Sequence, residues 1–238
     1  MTESITLSAA LQDLATANRI LFNQGVVDAF GHVSMRHPER PDQFLLSANK
    51  APATVTPEDV LAFDLRGNLL GGGLQTVYLE RFIHAAIYAC RPDVHGVVHS
   101  HATAVVPFTI VKSARLRPVC HMGGFLSGMI PNFEIRDHAG MGSDLLIRDI
   151  ALGGQLAECL GQSAAVLMRG HGVTVTGSTL KQAVFRAVYT QNNAQIQAAA
   201  MALGEVTYLT DAEALAADEA NTGQISRAWD FWTSQAVI

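Results

Sequence analysis

His99 and His101 stand one residue apart in Val97-Val98-His99-Ser100-His101-Ala102. Alternate residues of a β-strand project from one face, so this spacing turns two imidazoles in the same direction. Neutral imidazole is the commonest protein ligand for a transition metal, and a strand holds both rings rigidly. The same pattern also reads as a half-exposed strand with two solvent-facing histidines. A third imidazole, His171, lies between glycines in Arg169-Gly170-His171-Gly172, where a tight reversal can push it out of a sheet. Alone, Gly-His-Gly is an ordinary turn with a polar tip. Joined to His-x-His it makes a three-histidine set, the stoichiometry of catalytic metal sites that leave positions open for water or substrate. Glu80, at the start of the helix leading into the His-x-His strand, is placed either as a fourth ligand, as a general acid/base, or as a plain helix-start carboxylate. His84, one turn later on the same face, reads as a supporting or structural residue.

These side chains need elements to position them. An amphipathic helix is expected over 6–24, with Gly25 as its stop. Short strands are expected at Gly31 to Arg36, Gln43 to Leu46, Val60 to Asp64 and Asn68 to Leu70, with one helical turn started by Thr56-Pro57-Glu58-Asp59. Leu79 to Cys90 has helical apolar spacing and ends at Arg91-Pro92-Asp93, just before the histidine strand. Residues 140–160 read as a helix, Ala164 to Met168 and Val173 to Thr176 as strands, and about Leu180 to Leu203 as the longest helix, stopped by Gly204. An acidic helix near Asp211 to Glu219 and an aromatic segment with Trp229, Phe231 and Trp232 follow. No linker, internal repeat or low-complexity tract interrupts the chain, so 1–238 is read as a single α/β domain.

The composition narrows the partners. In 238 residues, 49% hydrophobic, 16 Lys and Arg face 21 Asp and Glu, for a net charge of -5. There is no basic run, so nucleic acid is excluded as an expected partner. Met1-Thr2-Glu3-Ser4 shows no leader pattern and no stretch has the length of a membrane span, which predicts a cytoplasmic protein without a membrane partner. Cys90, Cys120 and Cys159, odd in number and widely spaced, read as reduced, buried thiols.

The run Glu80…His84-Ala85-Ala86-Ile87-Tyr88…Arg91-Pro92-Asp93…His99-Ser100-His101, followed by Arg169-Gly170-His171-Gly172, resembles the class II aldolase/adducin family, from Gly31 through the long helix. The resemblance implies a three-layer α/β/α fold around a central, mainly antiparallel sheet. It implies a homo-oligomer, usually a tetramer, with its active site at a subunit interface. It also implies metal ligation by His99, His101 and His171, with Glu80 as the catalytic acid/base. One divalent ion per subunit is expected, Mn²⁺ or Zn²⁺, with a lean to Mn²⁺ because a bidentate oxygen ligand raises the coordination number. Adducin-like members of the family lack such residues, so a non-enzymatic interaction module is the weaker alternative.

The chain departs from the family's sugar-phosphate enzymes where they hold phosphate. It has Gly31-His32 in place of a Gly-Asn turn, Ser47-Ala48-Asn49-Lys50 in place of a Thr-Gly-type loop, and Tyr78-Leu79 in place of a Ser-Ser pair before Glu80. Tyr78 and Leu79 remove small hydroxyls and add apolar bulk, which disfavours a phosphorylated sugar. With Phe125 and the His121-Met122-Gly123-Gly124 loop they suit a flatter anionic ligand. In this the chain looks like the family's decarboxylases of hydroxylated aromatic or pyridine dicarboxylates, lyases of aromatic catabolism. Aldol cleavage or epimerisation of a non-phosphorylated hydroxy-keto compound is the alternative. Glu80 or His121 is expected to deliver the proton that replaces CO₂. His32, Asn49, Lys50, Tyr78 and Arg186 are the expected substrate-binding residues for the small anionic substrate, with Arg81 and Arg136 as further guanidinium candidates.

Overall fold

The computed structural model describes residues 6–236, so Met1–Ser4, read above for a leader, lie outside the described residues. Its elements are α1 (Leu7–Asn23), β1 (His32–Arg36), β2 (Gln43–Ser47), β3 (Val60–Asp64), α2 (Arg81–Cys90), β4 (Gly96–Ser100), α3 (Val106–Ile110), β5 (Asn132–Phe133), α4 (Arg136–Ala139), α5 (Ile150–Leu160), β6 (Ala165–Met168), β7 (Gly172–Gly177), α6 (Leu180–Leu203), α7 (Asp211–Thr222) and α8 (Ile225–Gln235). The strands form one seven-stranded sheet in the order β3-β2-β1-β4-β7-β6-β5. Every neighbouring pair is antiparallel except β5 with β6.

Helices cover both faces, because consecutive strand residues send apolar side chains to opposite sides. Val98, Val173 and Val175 pack on one side with Leu14 of α1, Val184 of α6 and Trp232 of α8. Val97, Val166 and Met168 pack on the other with Ile83 and Ile87 of α2 and Leu156 of α5. The result is the three-layer α/β/α arrangement with a mainly antiparallel sheet.

Local signals start the helices. Thr6 caps α1 by accepting the Ala9 N–H at 3.3 Å, and Thr179 caps α6 through the Gln182 N–H at 3.0 Å. The helix expected over 140–160 begins only at Ile150, since the Asp149 carboxylate accepts the Leu152 N–H at 2.8 Å and Gly140 turns the chain away with φ 78°. Asn68 to Leu70 reduces to a single bridge between Phe63 and Leu69, because Asp64 ties down the intervening turn through Arg66 and Asn68. Residues 121–126 form a 3₁₀ turn, and α3 and β5 are too short to carry a periodic sequence signal. No helix among the described residues is long and apolar enough to cross a membrane.

Candidate metal centre

The centre is built where β4 ends and β7 begins. His99 lies opposite Thr174 of β7 on one side and His32 of β1 on the other, all on the sheet face covered by α2. His101 follows the last β4 residue and keeps the strand's alternation, so its Nε2 comes to 3.3 Å from that of His99. The β6–β7 hairpin closes through Arg169, Gly170 and His171, with Met168 paired to Gly172. Gly170 adopts φ 67°, the left-handed conformation that a tight hairpin demands. Gly172 passes so close to the Ser100 carbonyl that a Cβ has no room there. Those two glycines aim His171 back at the strand ends, with its Nε2 2.9 Å from that of His101. Glu80, just before α2, completes the cluster, with Oε2 3.6 Å from His99 Nε2 and 3.5 Å from His171 Nε2. The four ligand atoms all lie within 4.8 Å of one another.

Groups outside the cluster set its protonation. The Leu145 carbonyl, which can only accept, lies 2.9 Å from His171 Nδ1, so that nitrogen carries the proton and Nε2 faces inward as a lone pair. Leu145 is the one non-glycine residue with positive φ among those described, at 70°, a strained conformation at the carbonyl that orients a site residue. Thr174 Oγ1 donates its proton to Met168 Sδ at 3.5 Å, so toward His99 Nδ1, 3.2 Å away, it accepts and sets that ring in the same sense. Burial lowers the pKa of all three imidazoles, well below the usual value for His99 and to about 4 for His171, where the neighbouring His101 adds to the effect. Inward-facing lone pairs that close repel one another unless a cation lies between them. The donor set therefore fits a divalent ion: neutral imidazole nitrogens, a carboxylate, and outer hydrogen bonds that fix the ring orientation. The Glu80 carboxyl is 7% exposed, and burial pushes its pKa up to about 7 against the Ile147 N–H that donates to Oε1 at 3.0 Å.

The other expected site residues are dispersed. Tyr78 packs its ring 4.7 Å from that of His32, while its hydroxyl donates to the Lys50 carbonyl at 2.5 Å, so Tyr78 offers the cleft a wall. The Lys50 ammonium pairs with Asp59 at 2.8 Å, and the Asn49 side chain is exposed. His121 is exposed on the 3₁₀ turn that packs against α7, where its carbonyl accepts from Asn221. Arg186 is not brought to the cluster within one chain: it sits on α6, across the sheet, and bonds the Thr176 carbonyl near the far end of β7. It lines a separate polar cleft of about 400 Å³ with Arg91, Ser163 and Gln182. Arg81 turns to the carbonyls of Gly67 and Tyr78, and Arg136 holds Glu134. Leu145, Ile147 and Thr174 had no signal in the sequence, because two of them act through the main chain and the third is an ordinary strand threonine.

Comparison with known proteins places this architecture. The family profile described as "Class II Aldolase and Adducin N-terminal domain" matches residues 12–198. The chain belongs to that family. It is 34% identical to the decarboxylase tropJ of Talaromyces stipitatus, covering 98% of this chain and 96% of the relative. It is 28% identical to the 3,4-dihydroxyphthalate decarboxylase of Arthrobacter keyseri, over 77% of this chain and 75% of that one. The fold superposes on the L-fuculose 1-phosphate aldolase of Glaciozyma antarctica with a TM-score of 0.78 at 24% identity, covering 96% of this chain and 90% of that structure. The two curated relatives are decarboxylases by name and support an enzyme, while the aldolase superposition shows the fold.

Proposed function

We propose that this family member is a metal-dependent carboxy-lyase acting on a hydroxylated aromatic or pyridine dicarboxylate. The observation that carries the reading is the wall beside Glu80, where Tyr78 and Leu79 replace small hydroxyls next to the three-histidine cluster. Similarity to two decarboxylases, one over nearly the whole chain, supports it.

A divalent ion, Mn²⁺ or Zn²⁺, held by His99, His101 and His171 would supply a Lewis acid that draws electron density from the scissile bond. The ring carbon–carboxylate bond breaks, its electron pair stays on the ring carbon, and CO₂ leaves. Glu80 then gives its proton to that carbon and regains one from solvent. Its burial raises the carboxyl's pKa in the metal-free site, which favours the protonated form this step draws on. The Ile147 N–H fixes one carboxyl oxygen, leaving Oε2 turned to the cluster. Tyr78, its ring tilted at 47° against that of His32, excludes water from one side of a flat substrate.

Three exposed apolar side chains flank the centre. Phe30 lies with its ring 6.4 Å from that of His101, Leu79 precedes Glu80, and Ile110 approaches Gly170. They support a homo-oligomer, a tetramer in this reading, whose neighbouring subunit covers the site and brings His121 or Arg186 to it. Light scattering at the mass of four chains is the expected result, and a monomer removes the covering role.

The deciding experiment incubates metal-loaded protein with a panel of hydroxylated aromatic dicarboxylates, 3,4-dihydroxyphthalate among them, and with non-phosphorylated hydroxy-keto acids. CO₂ from the aromatic acids is expected. Aldehyde from the hydroxy-keto acids without CO₂ assigns aldol cleavage instead.

A further inference from the structure

Beneath the metal centre runs a second file of polar side chains, buried between β1 and α2. His32 Nδ1 lies 2.6 Å from His84 Nε2, His84 Nδ1 lies 2.6 Å from Ser34 Oγ, and Ser34 Oγ lies 2.9 Å from the Tyr88 hydroxyl. Tyr88, Ser34 and His84 are at most 1% exposed and His32 4%. Such groups must each find a partner, because water does not reach them. Burial holds the His84 pKa down at about 3, so its ring is neutral, with one N–H and one lone pair.

The file has a direction. The Tyr88 hydroxyl lies 2.9 Å from Ser34 Oγ and also accepts from the backbone N–H of Val97, which can only donate, so the phenolic proton goes to Ser34 and a buried donor is not left unpaired. Ser34 then donates to His84 Nδ1, and His84 donates from Nε2 to His32 Nδ1. That leaves the His32 proton on Nε2. His32 stands opposite His99 in the β1–β4 ladder, its ring 5.0 Å from that of His99 and 4.7 Å from that of Tyr78. Its Nε2 has no partner among the described residues.

We infer that Tyr88, Ser34 and His84 are positioning residues that set His32 as a hydrogen-bond donor, its Nε2–H presented to a carboxylate or phenolate oxygen of the substrate. The inference rests on the proposed hydroxyaromatic acid chemistry and adds a rule of selection. The position favours an acceptor oxygen and rejects an ammonium or amide N–H, which would meet the His32 N–H head on. No proton is transferred along the file; it acts by orientation.

The test uses zinc-loaded protein, zinc being redox-inert and diamagnetic, with ¹⁵N-labelled histidine. Long-range ¹H–¹⁵N correlation, with His32 assigned by its loss in His32→Gln, is expected to show the proton on Nε2. Ser34→Ala and Tyr88→Phe are expected to shift His32 toward a mixture of tautomers while metal content stays unchanged. Calorimetric titration with 2-hydroxybenzoate, an acid with adjacent phenol and carboxylate, gives a second readout. His32→Phe is expected to weaken binding by about tenfold or more, the weight of one hydrogen bond to a charged acceptor, while His32→Gln, whose amide can donate, keeps most of it. A wild-type His32 protonated on Nδ1, a tautomer unmoved by Ser34→Ala, or 2-hydroxybenzoate that fails to bind or binds His32→Phe as tightly as wild type overturns the inference. If these readouts hold while no hydroxyaromatic acid releases CO₂, the decarboxylase reading fails and the donor role of His32 stands.

Discussion

Glu80 is fixed by Ile147: the backbone N–H of Ile147 donates to Oε1 at 3.0 Å, so the other oxygen of this buried carboxyl is the one turned toward the histidines. A group so held is oriented before any substrate arrives. Glu80→Gln keeps the shape and removes the acid, so metal content by mass spectrometry should be retained while kcat for CO₂ release falls by about 10²–10⁴. Loss of metal with the activity would reassign Glu80 as chiefly a ligand.

The outer hydrogen bonds make a separate prediction. Thr174→Val removes the oxygen 3.2 Å from His99 Nδ1 and leaves the ligands in place. Metal affinity in competition with a chromophoric chelator should fall about 10-fold to 100-fold, the usual effect of losing an orienting partner. Unchanged affinity would show that strand packing alone orients His99.

The hairpin that delivers His171 is tight at its second glycine. Gly172→Ala drives a methyl group into the Ser100 carbonyl, and β4 and β7 must separate beside His99, His101 and His171. Calorimetry should record a loss of about 1–3 kcal/mol, with weaker metal binding in the same protein.

Acid sensitivity should arise partly at Glu134. Hydrogen bonds from Arg136, and then from Arg169 two residues before His171, hold its pKa at about 2 against an ordinary 4.5. A carboxylate with a depressed folded-state pKa stabilises the fold above its unfolded value and loses that contribution as pH falls from about 4.5 to 2. Metal-free Glu134→Gln should therefore show a shallower drop in stability across that window than wild type. Equal slopes in chemical denaturation would remove Glu134 from the acid response.

The legible part of the site was the part written in side-chain type and spacing. His99 and His101 obey the two-residue strand period, His171 announces itself by flanking glycines, and Glu80 by its place before α2; the structure brings all four together. Leu145 and Ile147 contribute a carbonyl and an N–H, which every residue has, and only the fold chooses them. Arg186 and Lys50 show the converse: a suitable charge says nothing of direction, and one spans to Thr176 while the other pairs with Asp59. In the fold, the long helices and central strands follow their periodicity. β5, with two residues, exists only because β6 offers an edge, and the start of α5 depends on the Asp149 cap rather than on apolar spacing.

The central claim, that a metal held by His99, His101 and His171 makes this protein a carboxy-lyase, is tested most directly by reconstitution. Chelator-stripped protein is titrated with Mn²⁺ or Zn²⁺ while CO₂ release from a hydroxylated aromatic dicarboxylate is followed. CO₂ release should start near zero, rise linearly and reach a plateau at one ion per chain, and His101→Ala should stay near zero throughout. Release that is independent of added metal, or a fully loaded protein that releases no CO₂ from any acid of the class, would contradict it.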